Sequence, residues 1–299
     1  IDEQMTEACP DTIVQALPQY DAAAVREAYA ELYALKQSGQ LFADDDYIDV
    51  SKYIPTGAPV KALCLHVAHD CNLRCQYCFA STGDFGTGRK IMPFEVAKKA
   101  IDFVVARSGA RHNIEVDFFG GEPLMAWDTV TKTIDYARSL EQTHNKKFRF
   151  TITTNGLLLD DDKIDYINAN MDNVVLSLDG RPEVNDAMRK TVSGTGSYDI
   201  IVPKFKKLVE KRDPALDYYA RGTFTGKNLD FAEDVVHIAD AGFDRLSVEP
   251  VAAEDGCGYE LTEADLDKIY AEYDRLTDIM EERRKNGKPF LFFHFTVDL

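Results

Sequence analysis

The stretch Ala62-Leu-Cys-Leu-His-Val67, followed closely by Cys71-Asn-Leu-Arg-Cys75-Gln-Tyr-Cys78, decides the fold of this chain. Its first part is a short apolar run, which is typical of a buried strand. Its second part places three cysteines in one loop at C-x3-C-x2-C spacing. Structural zinc and most electron-transfer iron–sulfur clusters are held by four protein ligands, and this loop offers three. The spacing therefore predicts a metal site with one open position, which a catalytic metal needs.

Two other interpretations of the cysteine loop stay open at this point. His69 could join the three thiols in a zinc knuckle, because mixed cysteine and histidine sites prefer zinc. The thiols could also be redox groups that bind no metal. Cys64 lies inside the apolar run and is expected to be a core residue. Cys9 and Cys257 are far apart in sequence, so a second cluster from these two is not expected.

Strand-like and helix-like segments alternate from residue 61 onward. The predicted strands span residues 62–67, 114–119, 148–154, 173–178, 217–224 and 243–249. The predicted helices span residues 93–108, 128–141, 160–170, 198–211, 229–241 and 263–285. Repeated strand–helix–strand units predict an α/β fold with a parallel sheet and helices on one side. Polar or glycine-rich motifs follow the first four strands, at the sheet edge where barrel enzymes place their active sites.

A second motif ends the second predicted strand. It reads Val116-Asp-Phe-Phe-Gly120-Gly121-Glu122-Pro123, and alone it would be a strand-ending turn. Combined with the C-x3-C-x-aromatic-C loop, in which the aromatic residue is Tyr77, it resembles the signature of the radical S-adenosylmethionine (SAM) superfamily. The resemblance extends from about residue 61 to the C-terminus. It implies that the α/β region is a partial (β/α)6 barrel with a small, mainly helical N-terminal extension.

The resemblance also implies the cofactors. Cys71, Cys75 and Cys78, as thiolates, would hold three irons of a [4Fe–4S] cluster, and SAM would occupy the fourth iron. An electron delivered through the cluster would cleave SAM to methionine and a 5′-deoxyadenosyl radical, which abstracts hydrogen from an unactivated carbon. A flavodoxin- or ferredoxin-type reductant is therefore an implied partner.

Four residues are assigned SAM contacts near the two motifs. Gly120 and Gly121 would let the backbone approach the methionine part of SAM, since neither carries a Cβ. Glu122 would suit the cationic amino group of SAM through a charge-assisted hydrogen bond. Tyr77 resembles the aromatic residue that packs near the adenine.

Further candidates lie on later strands or beyond them. Ser177 resembles the family's polar contact to the SAM ribose or carboxylate, although a satisfied interior hydroxyl is an alternative. Arg189 resembles the arginine that meets the SAM carboxylate, a task that suits a bidentate guanidinium; an exposed helix arginine is the alternative. Asn155, Arg221 and Glu249 lie at strand ends and are expected to line the cavity.

The substrate is predicted from the same resemblance. The chain is similar to SPASM-type peptide maturases, and most similar to those that form thioethers in six-cysteine (SCIFF) peptides. A ribosomally made, cysteine-rich precursor peptide is the implied substrate. Anaerobic sulfatase-type and quinohemoprotein amine dehydrogenase-type maturases are alternatives. A non-catalytic, zinc-binding peptide-recognition protein is the alternative from another class.

The amino-acid composition limits the classes of partner that the chain is expected to bind. The chain has 34 Lys and Arg against 51 Asp and Glu, a formal charge of −17. This balance argues against a nucleic-acid or anionic-membrane partner, which would need a basic face. No run approaches the ~20 apolar residues of a membrane span. The absence of a visible signal peptide and the clustered thiols predict a cytoplasmic location.

Residues 1–60 differ from the rest. Ala22–Ser38 has the periodicity of an amphipathic helix, with Gly39 as its C-terminal cap. Asp44–Asp46 and Pro55–Pro59 are typical of a linker. We expect residues 1–60 to be either a helical extension or part of a leader-peptide recognition domain, which would bind its peptide as an added strand. Residues 61–299 form the predicted barrel, and related maturases continue into a cysteine-rich domain, so the chain is expected to be a fragment.

Overall fold

The structure is a computed structural model that describes residues 5–42 and 57–296. The chain divides into two compact units, Ile1–Ala58 and Pro59–Leu299. Of the two predicted linker segments, Asp44–Asp46 and the beginning of Pro55–Pro59 lie outside the described residues.

The described part of the first unit is helical. Helix α1 spans Asp11–Ala16 and helix α2 spans Ala22–Gln37. Helix α2 begins after Asp21, whose carboxylate accepts hydrogen bonds from the backbone N–H groups of the next turn at 2.9 and 3.2 Å. This is the capping contact that short acidic side chains provide. Gly39 follows with φ +71°, the left-handed conformation typical of a helix end.

The second unit alternates strands and helices within residues 57–296. Its strands are β1 (Ala62–His69), β2 (Leu73–Cys75), β3 (Lys90–Ile91), β4 (Asn113–Gly120), β5 (Lys147–Thr154), β6 (Asn173–Ser177), β7 (Arg189–Thr191), β8 (Asp217–Phe224), β9 (Arg245–Pro250) and β10 (Leu291–Phe292). Its α-helices are α3 (Phe94–Arg107), α4 (Trp127–His144), α5 (Asp161–Asn170), α6 (Pro182–Met188), α7 (Tyr198–Glu210), α8 (Phe231–Asp240) and α9 (Leu266–Lys285). None of the helices in the described ranges is long and apolar enough to span a bilayer.

The main sheet has the order β10-β9-β8-β6-β5-β4-β1-β3. All six predicted strands are present and run parallel in chain order, which confirms the predicted α/β fold with its parallel sheet. The short strand β10 extends the parallel set, and β3 pairs antiparallel with β1. Because β3 and β10 stand at opposite ends of this order, the sheet is open, as a partial barrel requires. Strands β2 and β7 form a separate antiparallel ribbon that the sequence analysis did not predict.

One face of the sheet forms the core. Alternate residues of the central strands, such as Phe118 of β4 and Phe150 of β5, are fully buried and pack in one cluster with apolar residues of the helices. The other face is more open. The expectation that Cys64 is a core residue is wrong: its side chain is exposed and lies opposite Asp117, because the alternation of β1 buries Leu65 and Val67 instead.

Gly156, which follows β5, allows a tight contact between the sheet edge and helix α7. Its φ is +80°, and a Cβ at this position would lie 2.3 Å from the buried ring of Phe205.

We expect Gly156→Ala to lower the free energy of unfolding by about 2–3 kcal/mol through backbone strain and overpacking. Gly242 is the matched control, since it has φ +104° and open space around the Cβ position. Gly242→Ala should cost only the strain, ~1 kcal/mol. If urea unfolding shows that the two variants lose the same free energy of unfolding, this account is contradicted.

Candidate functional site

A cavity of about 370 Å³ opens at the carboxyl ends of the parallel strands. The parallel strands β1, β4, β5, β6, β8 and β9 all contribute to the cavity wall. The residues come from the carboxyl end of each strand or from the loop that follows it. The cavity brings together all the residues predicted for the cofactor site, namely Cys71, Cys75, Tyr77, Cys78, Gly120, Gly121, Glu122, Asn155, Ser177 and Arg189. Arg221 and Glu249, expected to line the cavity, also do so.

The cysteine loop is tied to several elements. Within it, β2 pairs with β7, so that Cys75 lies opposite Arg189. The Cys71 sulfur accepts hydrogen bonds from the backbone N–H of Leu73 at 3.4 Å and from the Asn155 side-chain amide at 3.5 Å. These contacts hold the loop against β7 and against the end of β5.

Burial makes the free thiolate form costly at two of these cysteines. It raises the pKa of Cys71 to about 12 and that of Cys75 to about 11. Since thiolates are the form that binds metal, thiols in such surroundings need a cationic partner to ionise. An iron–sulfur cluster supplies that charge and takes each thiolate on a different iron. Three thiols beside an open cavity therefore fit a cluster with one iron left for another ligand.

The zinc arrangement needs all its ligands on one ion. In residues 5–42 and 57–296, no three His, Cys, Asp or Glu side chains stand close enough together to hold a single metal ion. His69, which was considered as the fourth zinc ligand, has its Nδ1 atom 3.0 Å from the Thr87 hydroxyl.

The Gly120–Gly121 pair lets the end of β4 pack against the start of the cysteine loop. A Cβ on Gly120 would lie 2.3 Å from the carbonyl oxygen of Ala68, and one on Gly121 would lie 2.1 Å from that of Asp70. The backbone N–H of Gly121 donates to Ala68 at 2.7 Å. The protein's own backbone therefore requires both glycines, in addition to any contact they make with a ligand.

Glu122 is 1% exposed and links two segments of chain, its own turn after β4 and the end of β5. Its carboxylate accepts hydrogen bonds from the Leu124 N–H at 3.0 Å, the Thr154 hydroxyl at 2.8 Å and the Asn155 N–H at 2.8 Å. Burial outweighs these donors and raises the pKa of Glu122 to about 7. A carboxylate offers about four lone-pair positions, so one remains for a ligand in the cavity.

Asn155 and Ser177 occupy neighbouring strand ends. The Asn155 side-chain N–H donates to the Asn72 side chain at 2.8 Å, and its carbonyl oxygen accepts from the Leu157 N–H at 3.1 Å. Its amide thus holds the cysteine loop against β5. Ser177 is the last residue of β6 and lies in register with Arg221 of β8 on the cavity wall.

Asp179 was not assigned to the site from the sequence, yet it organises one wall of it. Its fully buried carboxylate accepts a 2.6 Å hydrogen bond from the Tyr77 hydroxyl and a 3.0 Å bond from the Thr223 N–H. Arg189 Nε lies 3.0 Å from the same carboxylate, and its guanidinium carbon lies 5.5 Å from the centre of the Tyr77 ring. The signal available in the sequence was the alternation that puts Asp179 two residues after Ser177 at a strand end.

Arg189 does not behave as an exposed helix residue. It begins β7 and is 9% exposed, so that alternative is wrong. Its ion pair with Asp179 runs through Nε, which lies 3.0 Å from a carboxylate oxygen without the geometry of a hydrogen bond. A guanidinium carries five N–H donors, so the remaining ones are available on the cavity side.

Strands β8 and β9 form another part of the wall. Arg221 and Glu249 form an ion pair there, and the Ser247 hydroxyl donates to Glu249 at 3.0 Å. Both charged side chains line the cavity. This pair offers hydrogen-bond donors and acceptors side by side.

The chain is similar to known proteins of one superfamily. The pattern of the Radical SAM superfamily matches residues 65–214. Radical SAM cyclopropyl synthase TigE of Paramaledivibacter caminithermalis is 28% identical over 197 residues, which are 60% of this chain and 40% of TigE. A cysteine-type anaerobic sulfatase-maturating enzyme of Clostridium novyi is 32% identical over 143 residues, 46% of this chain and 37% of that enzyme.

A solved structure shows the same fold. The structure of native anSMEcpe with bound AdoMet and Cp18Cys peptide superposes with a TM-score of 0.65 at 23% identity, covering 79% of this chain and 64% of that one. The chain spans less than half the length of TigE and of the Clostridium novyi enzyme. Because the superfamily pattern covers about half of this chain, including both motifs of the cavity, the chain belongs to the radical SAM superfamily.

Proposed function

We propose that this chain is the SAM-cleaving core of a peptide maturase that forms a thioether cross-link in a ribosomally made, cysteine-rich peptide. Radical SAM enzymes use a [4Fe–4S] cluster and SAM, and solved relatives of this fold contain bound SAM. The observation that carries the proposal is that the three thiols of the cysteine loop and the Gly-Gly-Glu turn face one cavity at the carboxyl edge of the parallel sheet. The reductant and the cytoplasmic location are part of the same proposal.

The cysteines would hold the cluster. Cys71, Cys75 and Cys78 would each bind one iron, which leaves the fourth iron for the amino and carboxylate groups of SAM. When bound, the two cofactors supply a reductive cleavage of SAM that yields a hydrogen-abstracting 5′-deoxyadenosyl radical. The protein's task is to orient the reacting groups and to keep water and other hydrogen donors away from them.

The remaining residues would orient SAM. The unused lone pair of Glu122 would accept a hydrogen bond from the SAM ammonium group, which is charge-assisted and therefore strong. The free N–H groups of Arg189 would donate to the SAM carboxylate. Tyr77, fixed by Asp179, would present its ring to the adenine, and Ser177 would bind the ribose or carboxylate.

Two kinds of support favour a peptide substrate. TigE and the Clostridium novyi enzyme are named as a cyclopropyl synthase and a sulfatase-maturating enzyme, and the solved structure holds a peptide beside AdoMet. In this chain, the Arg221–Glu249 pair offers both a donor and an acceptor, which is the complement of a peptide group. A cysteine of a sulfatase is the second candidate substrate, favoured by the 32% identity to the Clostridium novyi enzyme.

The cluster assignment predicts the behaviour of single cysteine variants. Anaerobically reconstituted wild-type protein should be brown and bind about four irons per chain. Cys75→Ala should lose the visible absorption and most of the iron, because a cube with two protein ligands is poorly held. Cys64→Ala is the matched control, since this exposed cysteine lies outside the cavity lining, and it should keep both. Colourless wild-type protein with stoichiometric zinc would refute the cluster.

The role of Glu122 predicts a loss of SAM affinity. Glu122→Gln removes the charge from a hydrogen bond to the SAM ammonium group, which is worth about 1.5–3 kcal/mol. The SAM dissociation constant of the reconstituted protein should therefore rise about 10- to 100-fold in equilibrium binding. Glu115→Gln, near the amino end of the strand β4 that precedes the Glu122 turn, should leave the constant unchanged. An unchanged affinity in Glu122→Gln at full iron content would rule out the contact.

The thioether proposal predicts a specific product. Incubation with SAM, dithionite and cysteine-rich peptides encoded beside this protein should yield a peptide that has lost two hydrogen atoms. Because one thiol is consumed in a thioether, alkylation of the product should modify one cysteine fewer. Modification of a sulfatase-derived peptide instead would favour the second candidate. Formation of 5′-deoxyadenosine without change to either peptide would contradict both.

A further inference from the structure

We propose that the outer face of the β2–β7 ribbon, defined by Arg74 and Lys190, is the docking surface for a small acidic one-electron donor protein. The inference rests on the proposed function, because it requires a cluster at Cys75. It adds the place where the electron enters.

The register of the ribbon defines its two faces. Leu73, Cys75 and Arg189 all line the cavity. Because side chains alternate along a strand, Arg74 and Lys190 point to the opposite side. They lie directly across from each other in the antiparallel pair, and both are partly buried. The ribbon is therefore a single layer of backbone with the cluster ligand on one face and two cations on the other.

This pairing of like charges is unfavourable within the protein alone. Cations directly opposite each other on two strands repel, and they destabilise the pair. The chain has a charge of −17, so acidic side chains are plentiful. Nevertheless, neither cation forms an ion pair with any residue of the described ranges; Arg74 donates instead to the carbonyl oxygens of Cys71 at 2.6 Å and Leu73 at 2.7 Å. The two charges thus remain available to an external anionic surface.

An acidic electron carrier fits this surface. The net charge of the chain repels such a carrier at long range, so a local cationic patch is needed to fix its orientation. Docking on the ribbon would place the donor next to Cys75, which shortens the path of the electron to the cluster. The donor loses one electron and the cluster gains one, and no bond is formed or broken between the two proteins.

The test uses the reconstituted protein and an acidic bacterial flavodoxin as the probe. Lys190→Glu converts the repulsive pair into an attractive one, so its melting temperature should equal or exceed that of the wild type. Its flavodoxin dissociation constant, measured by calorimetry with oxidised flavodoxin at low salt, should rise about tenfold. The rate of cluster reduction by flavodoxin hydroquinone should fall in parallel, and both differences should shrink as salt is added.

Lys147→Glu is the matched control. Lys147 is exposed at the amino end of β5, away from the strand ends that form the cavity, and its substitution changes the net charge equally. Its flavodoxin affinity should change less than about twofold. Equal affinities of wild type and Lys190→Glu, or an equal loss in Lys147→Glu, would overturn the docking surface.

A chemical reductant separates this inference from the proposed function. With dithionite, Lys190→Glu should form 5′-deoxyadenosine as fast as the wild type, because dithionite does not need the docking surface. A comparable loss with dithionite would show that Lys190 acts on the site itself and would overturn the inference. Absence of the product from cluster-loaded wild type would instead refute the proposed function, whatever the flavodoxin affinities.

Discussion

The buried carboxylate of Asp179 holds three separate pieces of the site in one arrangement. It binds the Tyr77 hydroxyl in the cysteine loop, the Arg189 guanidinium at the start of the β2–β7 ribbon and the Thr223 N–H on β8. A buried charge is tolerated only when it is paired and hydrogen-bonded, so these contacts must form together. The position of the cysteine loop therefore depends on a group outside the loop.

Glu122 has a corresponding role on the other side of the cavity. It joins the turn after β4 to the end of β5, while the Gly120–Gly121 pair presses that turn against the residues before the cysteine loop. Asp179 thus holds the loop directly through Tyr77, and Glu122 holds it indirectly through Asn155, which contacts Cys71. Both carboxylates are needed for contacts within the protein. The proposed SAM contacts use the lone pair of Glu122 and the N–H groups of Arg189 that these contacts leave free.

The surface of the molecule around this site has two chemically different parts. The helix-covered face of the sheet is apolar and closed, whereas the opposite face carries polar and charged groups such as Asp117, Arg221 and Glu249. This open inner face is suited to an extended polar substrate. The ribbon forms a different boundary, thin and cationic, and suited to an electron carrier. Under the proposed function and the proposed docking surface, substrate and electron would reach the cluster from different directions.

The sequence by itself determined the family, the parallel α/β order and the residues that meet in the cavity, because strand–helix alternation and the two motifs are local patterns. Even so, β9 begins two residues later than predicted, since the Phe243 N–H still bonds to the carbonyl oxygen of Ile238 in helix α8. The β2–β7 ribbon, the exposure of Cys64 and the pairing of Arg189 with Asp179 were decided by the tertiary structure. Each depends on which residues distant in sequence lie opposite one another, and no short stretch of sequence specifies that register.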